Sequence, residues 1–473
     1  MRRRRLAAFL AAAIGLPLPA QDPPGFTTET LVTGLDLASA MAFAPDGRLF
    51  VLERGSGTVR YVRDGVLSAP WATIATTGAV GEGGLLGIAI DPDFTTTPYV
   101  YLLYTRSIAG RWETVIERRL EVAGVGVQPQ PIGPALFAGG RHCGGPLLFG
   151  RDGTLFAVLG EGGLELLSQS LAHPNGKVLR LLVPGGAAPS DNPFVGIAGA
   201  SPYVFAWGIR NSFGLALHPS TGELYETENT AAGGDELNRI LAGRNYGWPI
   251  HDGRELVPDP ATEDPLWTQL PDPALTGADF ATGPHLPPSL RSALIAAAYN
   301  DGTLRAFDID AATGTVRGHS VFATHGAAFG VLDGPDGAIY ALVHPTRFER
   351  GADRIVRYVP QAAPSPALQM KAVSNVALGG SLTFGVTANA GETAFVWAAP
   401  GPNPQPVPTP FGELLVPIVL PLPGIAIGAD RRGHLALALP DDPTLRGVTV
   451  YAQCAAIAGP ALRIGGMAAY VLH

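Results

Sequence analysis

Short segments of alternating apolar residues recur along the chain, each behind the same kind of turn. Ala44-Pro45-Asp46-Gly47 precedes Arg48-Leu49-Phe50-Val51, and Arg151-Asp152-Gly153 precedes Thr154-Leu155-Phe156-Ala157. Pro219 to Gly222, Asn300-Asp301-Gly302 and Pro335-Asp336-Gly337 open three more such units, and Asp91-Pro92-Asp93-Phe94 is a variant before Tyr99-Val100-Tyr101. Asp-Gly supplies the positive φ that a tight hairpin needs. Partner strands follow, such as Thr58 to Val62 and Lys177 to Leu181. A four-stranded unit cannot bury both faces alone, so such units stack around an axis. The pattern predicts an all-β fold, a six-bladed β-propeller over residues 26–360. Two independent β-sandwiches are the competing arrangement.

A stretch rich in Pro, Ala and Ser follows and reads as a linker over 361–370. A second all-β pattern begins at Gly379-Gly380-Ser381 and returns at Ala394 to Trp397, His434 to Leu439 and Thr449 to Ala452. It predicts a small C-terminal β-sandwich over 371–473. With almost no ionisable cluster, that module is expected to pack or attach to a surface rather than catalyse.

The first 20 residues have a different character. Arg2 to Arg5 form a positive segment, Leu6 to Leu16 an apolar one, and Ala20 ends a plausible cleavage site. That is the pattern of a secretory signal peptide over 1–20. The other apolar stretch, Leu414 to Ile427, is broken by Pro417, Pro421 and Pro423. No membrane span is expected, and the reading is a secreted or periplasmic protein. An oxidising compartment permits disulfides, but Cys143 and Cys454 fall in different predicted domains and read as lone thiols.

Composition narrows the classes. Of 473 residues, 46% are hydrophobic, 61 are Gly and 44 are Pro, and only 15% are charged. Because Gly and Pro punctuate apolar segments, coiled coils, helical bundles, collagen and wholesale disorder are excluded. The net charge of −8, with no basic block after residue 5, excludes nucleic acid as an expected partner.

Chemistry concentrates in three glycine-flanked loops. The first is Gly81-Glu82-Gly83-Gly84-Leu85-Leu86-Gly87; no Lys-Ser or Lys-Thr follows, so it is no phosphate loop. The second joins Arg141-His142-Cys143-Gly144-Gly145 to Gly160-Glu161-Gly162-Gly163. A His exposed among glycines, with a carboxylate beside it, can serve as a general base near neutral pH; a lone His is more often structural. The third runs from Trp207-Gly208-Ile209-Arg210-Asn211 through Glu228 to Asn238, and on to Asn245-Tyr246-Gly247-Trp248-Pro249. Its Arg and Asn suit an anionic, carbonyl-rich ligand. Its carboxylates, amides and loop carbonyls suit calcium, or form a solvated acidic loop.

Taken together, the loops resemble the glucose/sorbosone dehydrogenase family, soluble exported enzymes that use pyrroloquinoline quinone (PQQ) and calcium. The resemblance rests on the Gly-Glu-x-Gly-Leu-Leu-Gly, His-x-x-Gly, Arg-Asn-x-x-Gly and Asp-Glu…Asn-Tyr-Gly-Trp-Pro stretches, in that order. It also implies the propeller. It implies that His142 takes the proton of a sugar's anomeric hydroxyl, with Glu161 orienting it. Glu82, Arg210 and Asn211 are implied to contact the cofactor. The carbonyls of Thr230 and Ala231 would hold its calcium, and Glu236 and Tyr246 a second, structural one. A sugar substrate and a separate electron acceptor are the implied partners.

The chain departs from the family pattern where a late Lys and an Arg-x-Arg pair would meet the cofactor's carboxylates. Those positions fall near Asn300, Ala327 and Phe329, and the nearby cations, Arg305 and His325, stand at other spacings. A cofactor-free propeller that binds carbohydrate or another partner is therefore the second reading. A calcium-dependent lactonase-like hydrolase is the third.

Overall fold

The computed structural model describes residues 23–361, apart from 284, 285, 288 and 325, and beyond them the strands between 369 and 471. The expected signal peptide and most of the expected linker lie outside the described residues.

Six four-stranded antiparallel sheets, each wound outward from an inner strand, stand around a common axis. Blade 1 runs from Ala38–Phe43 to Val66–Leu67, with Ala72–Thr73 as a further short strand on its third. Blade 2 spans Leu85–Ile90 to Val125–Phe137, blade 3 Leu147–Phe149 to Val204–Trp207, and blade 4 Ser212–Leu217 to Trp267–Gln269. Blade 5 spans Leu275–Phe280 to Val316–Thr324. Blade 6 takes Ala327–Asp333, Ile339–His344 and Asp353–Pro360 from the end of the propeller and its outer strand, Phe26–Leu35, from the beginning. The register Phe26 to Pro360 through Leu35 to Asp353 closes the ring. The six-bladed propeller is thus the fold, and the two-sandwich arrangement is set aside.

Neighbouring blades bury alternate faces of their strands against each other. Phe26, Phe322 and Tyr358 lock the closing strand to blades 5 and 6, with ring centroids 5.0 and 5.3 Å apart. Around the axis the inner strands come too close for side chains. A Cβ on Gly277 would lie 2.9 Å from the Gly330 Cα, and one on Gly87 only 2.0 Å from the Gly145 carbonyl oxygen. The inner strands enclose an axial channel of about 320 Å³.

Five of the six sequence turns link the first and second strands of a blade, and so mark one end of the propeller. Blade 5 differs. Its first two strands are joined by a longer, proline-containing loop, and Asn300-Asp301-Gly302 instead links its second and third strands. That moves this turn, and Tyr299 before it, to the opposite end. The opposite end gathers the loops that enter each inner strand and those that leave each second strand. The glycine-flanked loops are of these two kinds, except that the 245–249 stretch of the third lies in the long connection between the third and fourth strands of blade 4.

Beyond the propeller, two larger antiparallel sheets and a two-stranded one, Val407–Thr409 with Gly412–Leu414, are described. Of the larger two, one pairs Gln369–Ala372, Ser381–Thr387 and Arg432–Ala438, and the other is built on Thr393–Ala399, Thr449–Ala458 and Ala461–Val471. Among the described residues, no helix is long and apolar enough to cross a membrane.

Candidate functional site

The loop entering blade 3 carries His142, and the loop leaving that blade's second strand carries Glu161. Their pairing runs from His142 Nδ1 to Glu161 Oε1, with the carboxylate fully buried. His142 has φ +49°, a left-handed conformation unusual for a side chain of this size. Gly162 N donates to its carbonyl at 3.0 Å and holds it there. Gly160 is required beneath it, because a Cβ would lie 2.2 Å from the same carbonyl oxygen. Strain tolerated in this way gathers at functional sites. The second carboxylate oxygen, Oε2 of Glu161, is buried without a hydrogen bond among the described residues.

A hydrogen-bond chain ties this pair to the other predicted residues. Glu161 N donates to Arg210 O at 2.9 Å. Gly144 N donates to Asn211 Oδ1 at 3.3 Å, and Asn211 Nδ2 donates to Glu82 Oε2 at 3.0 Å. Arg210 donates from Nη1 to Asn229 O at 2.7 Å, lies over the Trp248 ring at 5.2 Å, and donates its backbone N–H to Glu228. His142, Glu161, Glu82, Arg210, Asn211 and the 229–231 loop therefore share one end of the propeller. Cys143 sits among them, but burial and the nearby Glu82 push its thiol up to about 12, so it is no nucleophile at neutral pH.

Thr230 and Ala231 are held by two residues that sequence reasoning did not assign. Asp235 accepts from Thr230 N at 3.3 Å. Asp252 accepts from the N–H groups of Ala231, Ala232 and Gly233 at 3.2, 2.7 and 3.1 Å. With the donors of this loop turned onto carboxylates, the carbonyls of Thr230 and Ala231 accept no hydrogen bond among the described residues. Such carbonyls suit a hard cation.

Glu236 and Tyr246 are not brought together through their side chains. The Tyr246 hydroxyl bonds Arg239 O and the Leu241 N–H, so only its backbone could serve a cation. Glu236 instead stands with Glu226 and Glu228 on the buried second and third strands of blade 4, in register with Glu228. Asn238 Nδ2 bridges Glu226 at 3.2 Å and Glu236 at 3.0 Å, and Gly253 N donates to Glu236 at 2.9 Å. Burial pushes Glu226 up to about 8, Glu236 up to about 7, and Glu228 well above the usual carboxylate range. Among the described residues these carboxylates do not converge as a ready-made cage. Among the described residues, one oxygen each of Glu226, Glu228 and Asn238 is nonetheless buried without a hydrogen bond.

Of the two cations near the expected positions, Arg305 is engaged elsewhere. Arg305 bonds Asp301 and lies 5.9 Å over Trp267, and His325 lies outside the described residues. At the end of the axial channel is a pocket of about 120 Å³. Its walls include Phe329 and Tyr299, where cations would have stood, together with Phe213, Phe348 and His344. His344 stacks on Phe329 at 5.1 Å, and its Nε2 bonds Ala38 O at 2.8 Å. Burial and the nearby Arg54 push it down to about 4, so it is neutral at pH 7. Arg54, on the loop leaving the second strand of blade 1, is the cation that lines this pocket. No motif marked it in the sequence.

Residues 35–349 match the profile of the glucose/sorbosone dehydrogenase family. The chain belongs to this family. It is 29% identical to the aldose sugar dehydrogenase YliI of Escherichia coli over 343 residues, 68% of this chain and 90% of that protein. Among solved structures, a putative glucose dehydrogenase of Thermus thermophilus is 35% identical with a TM-score of 0.64, covering 71% of this chain and all of that one. The PQQ-bound aldose sugar dehydrogenase of Streptomyces coelicolor is 27% identical with a TM-score of 0.61, covering 71% and 99%. Within this family the match spans the propeller and leaves the C-terminal module outside.

Proposed function

We propose that the protein is an exported quinoprotein that oxidises the anomeric carbon of aldose sugars to lactones, using PQQ and calcium. The observation that carries this reading is the His142–Glu161 pair, joined through Arg210, Asn211 and Glu82 to the pocket at the end of the axial channel. The named relatives and the chemistry of these donors support it. The open carbonyls of Thr230 and Ala231, with Arg210 and Asn211 beside them, fit a calcium-held cofactor. The orphaned oxygens around Glu236 fit a second calcium, with the backbone of Tyr246 as a further donor.

PQQ, when bound, supplies the hydride acceptor. The rest is done by the chain. Glu161 on Nδ1 favours the tautomer that leaves Nε2 free to take a proton. His142 Nε2 then removes the proton of the anomeric hydroxyl as the hydride leaves that carbon. The buried Glu161 stabilises the imidazolium that results. The aromatic pocket walls exclude water from a planar cofactor and offer stacking faces. The N-terminal sequence pattern supports a secreted or periplasmic location, where an electron acceptor would reoxidise the enzyme.

The cofactor-free, carbohydrate-binding propeller is favoured by one observation: aromatic rings stand where cations were expected. The two readings separate on titration of the purified protein with PQQ and calcium, followed by absorbance and by sugar-dependent dye reduction. Quinone binding with dye reduction supports the dehydrogenase. A folded protein that binds sugar but no quinone at millimolar calcium supports the binding propeller.

A further inference from the structure

The Gly81–Gly84 loop has no part in the chemistry above beyond Glu82, yet it is built around a side chain from another blade. Arg54 Nη1 donates to the carbonyls of Gly81 at 2.9 Å and Gly83 at 3.2 Å. Gly84, at φ +118°, makes room for the stem, since a Cβ there would lie 2.5 Å from Arg54 Cγ. Among the described residues, the hydrogen bonds of Arg54 leave only through Nη1. Its Nε and Nη2 are uncommitted in a residue that lines the pocket. It is the one Lys or Arg among the lining residues described, and His344 beside it is neutral. The facing charge is Glu82, which Asn211 holds by its Oε2.

We infer that Arg54 is the anion-binding residue of the axial pocket, pairing with a carboxylate of a planar aromatic ligand seated against Phe329 and Tyr299. A guanidinium fixed by two carbonyls meets a carboxylate with little ordering left to do, and its charge-assisted hydrogen bonds are of the strong kind. The inference gives the cofactor reading its missing cation from blade 1 rather than from blades 5 and 6, and in that respect rests on that reading. Glu82 is then a competitor for the same guanidinium.

The test measures dissociation constants of two probes, PQQ with calcium and fluorescent 2,6-naphthalenedicarboxylate, for wild type, Arg54→Gln and Arg54→Lys. The naphthalene dimethyl ester serves as the uncharged control. Arg54→Gln is expected to weaken the anions about 10–100-fold, the worth of one charge-assisted pair, and to leave the ester unchanged. Arg54→Lys should fall between. If both anions bind Arg54→Gln as well as wild type, the inference is overturned; unchanged PQQ binding would do so while leaving the cofactor reading intact. If the dicarboxylate discriminates but PQQ does not bind wild type, Arg54 stands and the cofactor reading falls. No binding of either probe to folded wild type overturns both. Should Arg54→Gln fail to fold, Glu82→Gln carries the test: relieving Arg54 of its competitor should tighten both anions several-fold, and unchanged affinity would count against the inference.

Discussion

At the scale of single residues, the site divides into groups the sequence announced and groups it concealed. His142, Glu161, Arg210 and Asn211 stand in glycine-flanked loops, and glycine there has a reason: Gly160 lies against the His142 carbonyl with no room for a Cβ. Such crowding leaves a visible trace in composition. Arg54 and Tyr299 left none, because their roles come from blades that meet only on folding, and Asp252 left none, because it reaches the 231–233 turn from a later loop of the same blade. Removing the imidazole should lower turnover about 10²–10⁴-fold, the range for a general base. His142→Ala should keep its quinone affinity, and Glu161→Gln should act in the same direction by losing control of the tautomer. Steady-state rates beside binding titrations check both. Asp252→Ala should loosen the 230–233 turn, where one carboxylate holds three N–H groups. The expected outcome is a smaller rise in melting temperature on adding calcium, measured against wild type.

At the scale of elements, the turn series revealed the blades because five of six turns serve the same hairpin. Blade 5 escaped the pattern, since its first hairpin carries a longer, proline-containing loop and its Asp-Gly turn lies at the site end. This is why Tyr299 enters the pocket. The closing strand was also invisible, because Phe26–Leu35 pairs with residues more than 300 positions away, and no local pattern encodes that. Phe26 is buried between Phe322 and the rest of blade 6. Phe26→Ala should cost about 3–5 kcal/mol, the usual range for emptying an aromatic site in a core. Denaturant unfolding measures it, and a cost below 1 kcal/mol would mean that the ring does not depend on this closure.

At the scale of the whole molecule, several buried carboxyl groups carry protons that exposed ones would lose. Asp353 is the clearest outside the glutamate cluster. Burial raises it to about 7 from an ordinary 3.8, while Ala38 N donates to it at 2.7 Å. A raised carboxyl contributes its stability below the unfolded pKa and loses it as pH rises through the folded one. Wild type should therefore lose stability between about pH 4 and 7 relative to Asp353→Asn, whose amide oxygen can still accept from Ala38. Parallel melting curves of the two proteins across that window test the sign.

The central claim is that this propeller end holds a quinone beside His142, and a direct titration decides it. Purified protein is mixed with PQQ at millimolar calcium, the bound quinone is followed by absorbance, and an aldose is then added with a dye as electron acceptor. The account predicts saturable, calcium-dependent binding, with dye reduction that His142→Ala loses while binding persists. Folded wild type that takes up no quinone under these conditions would contradict it.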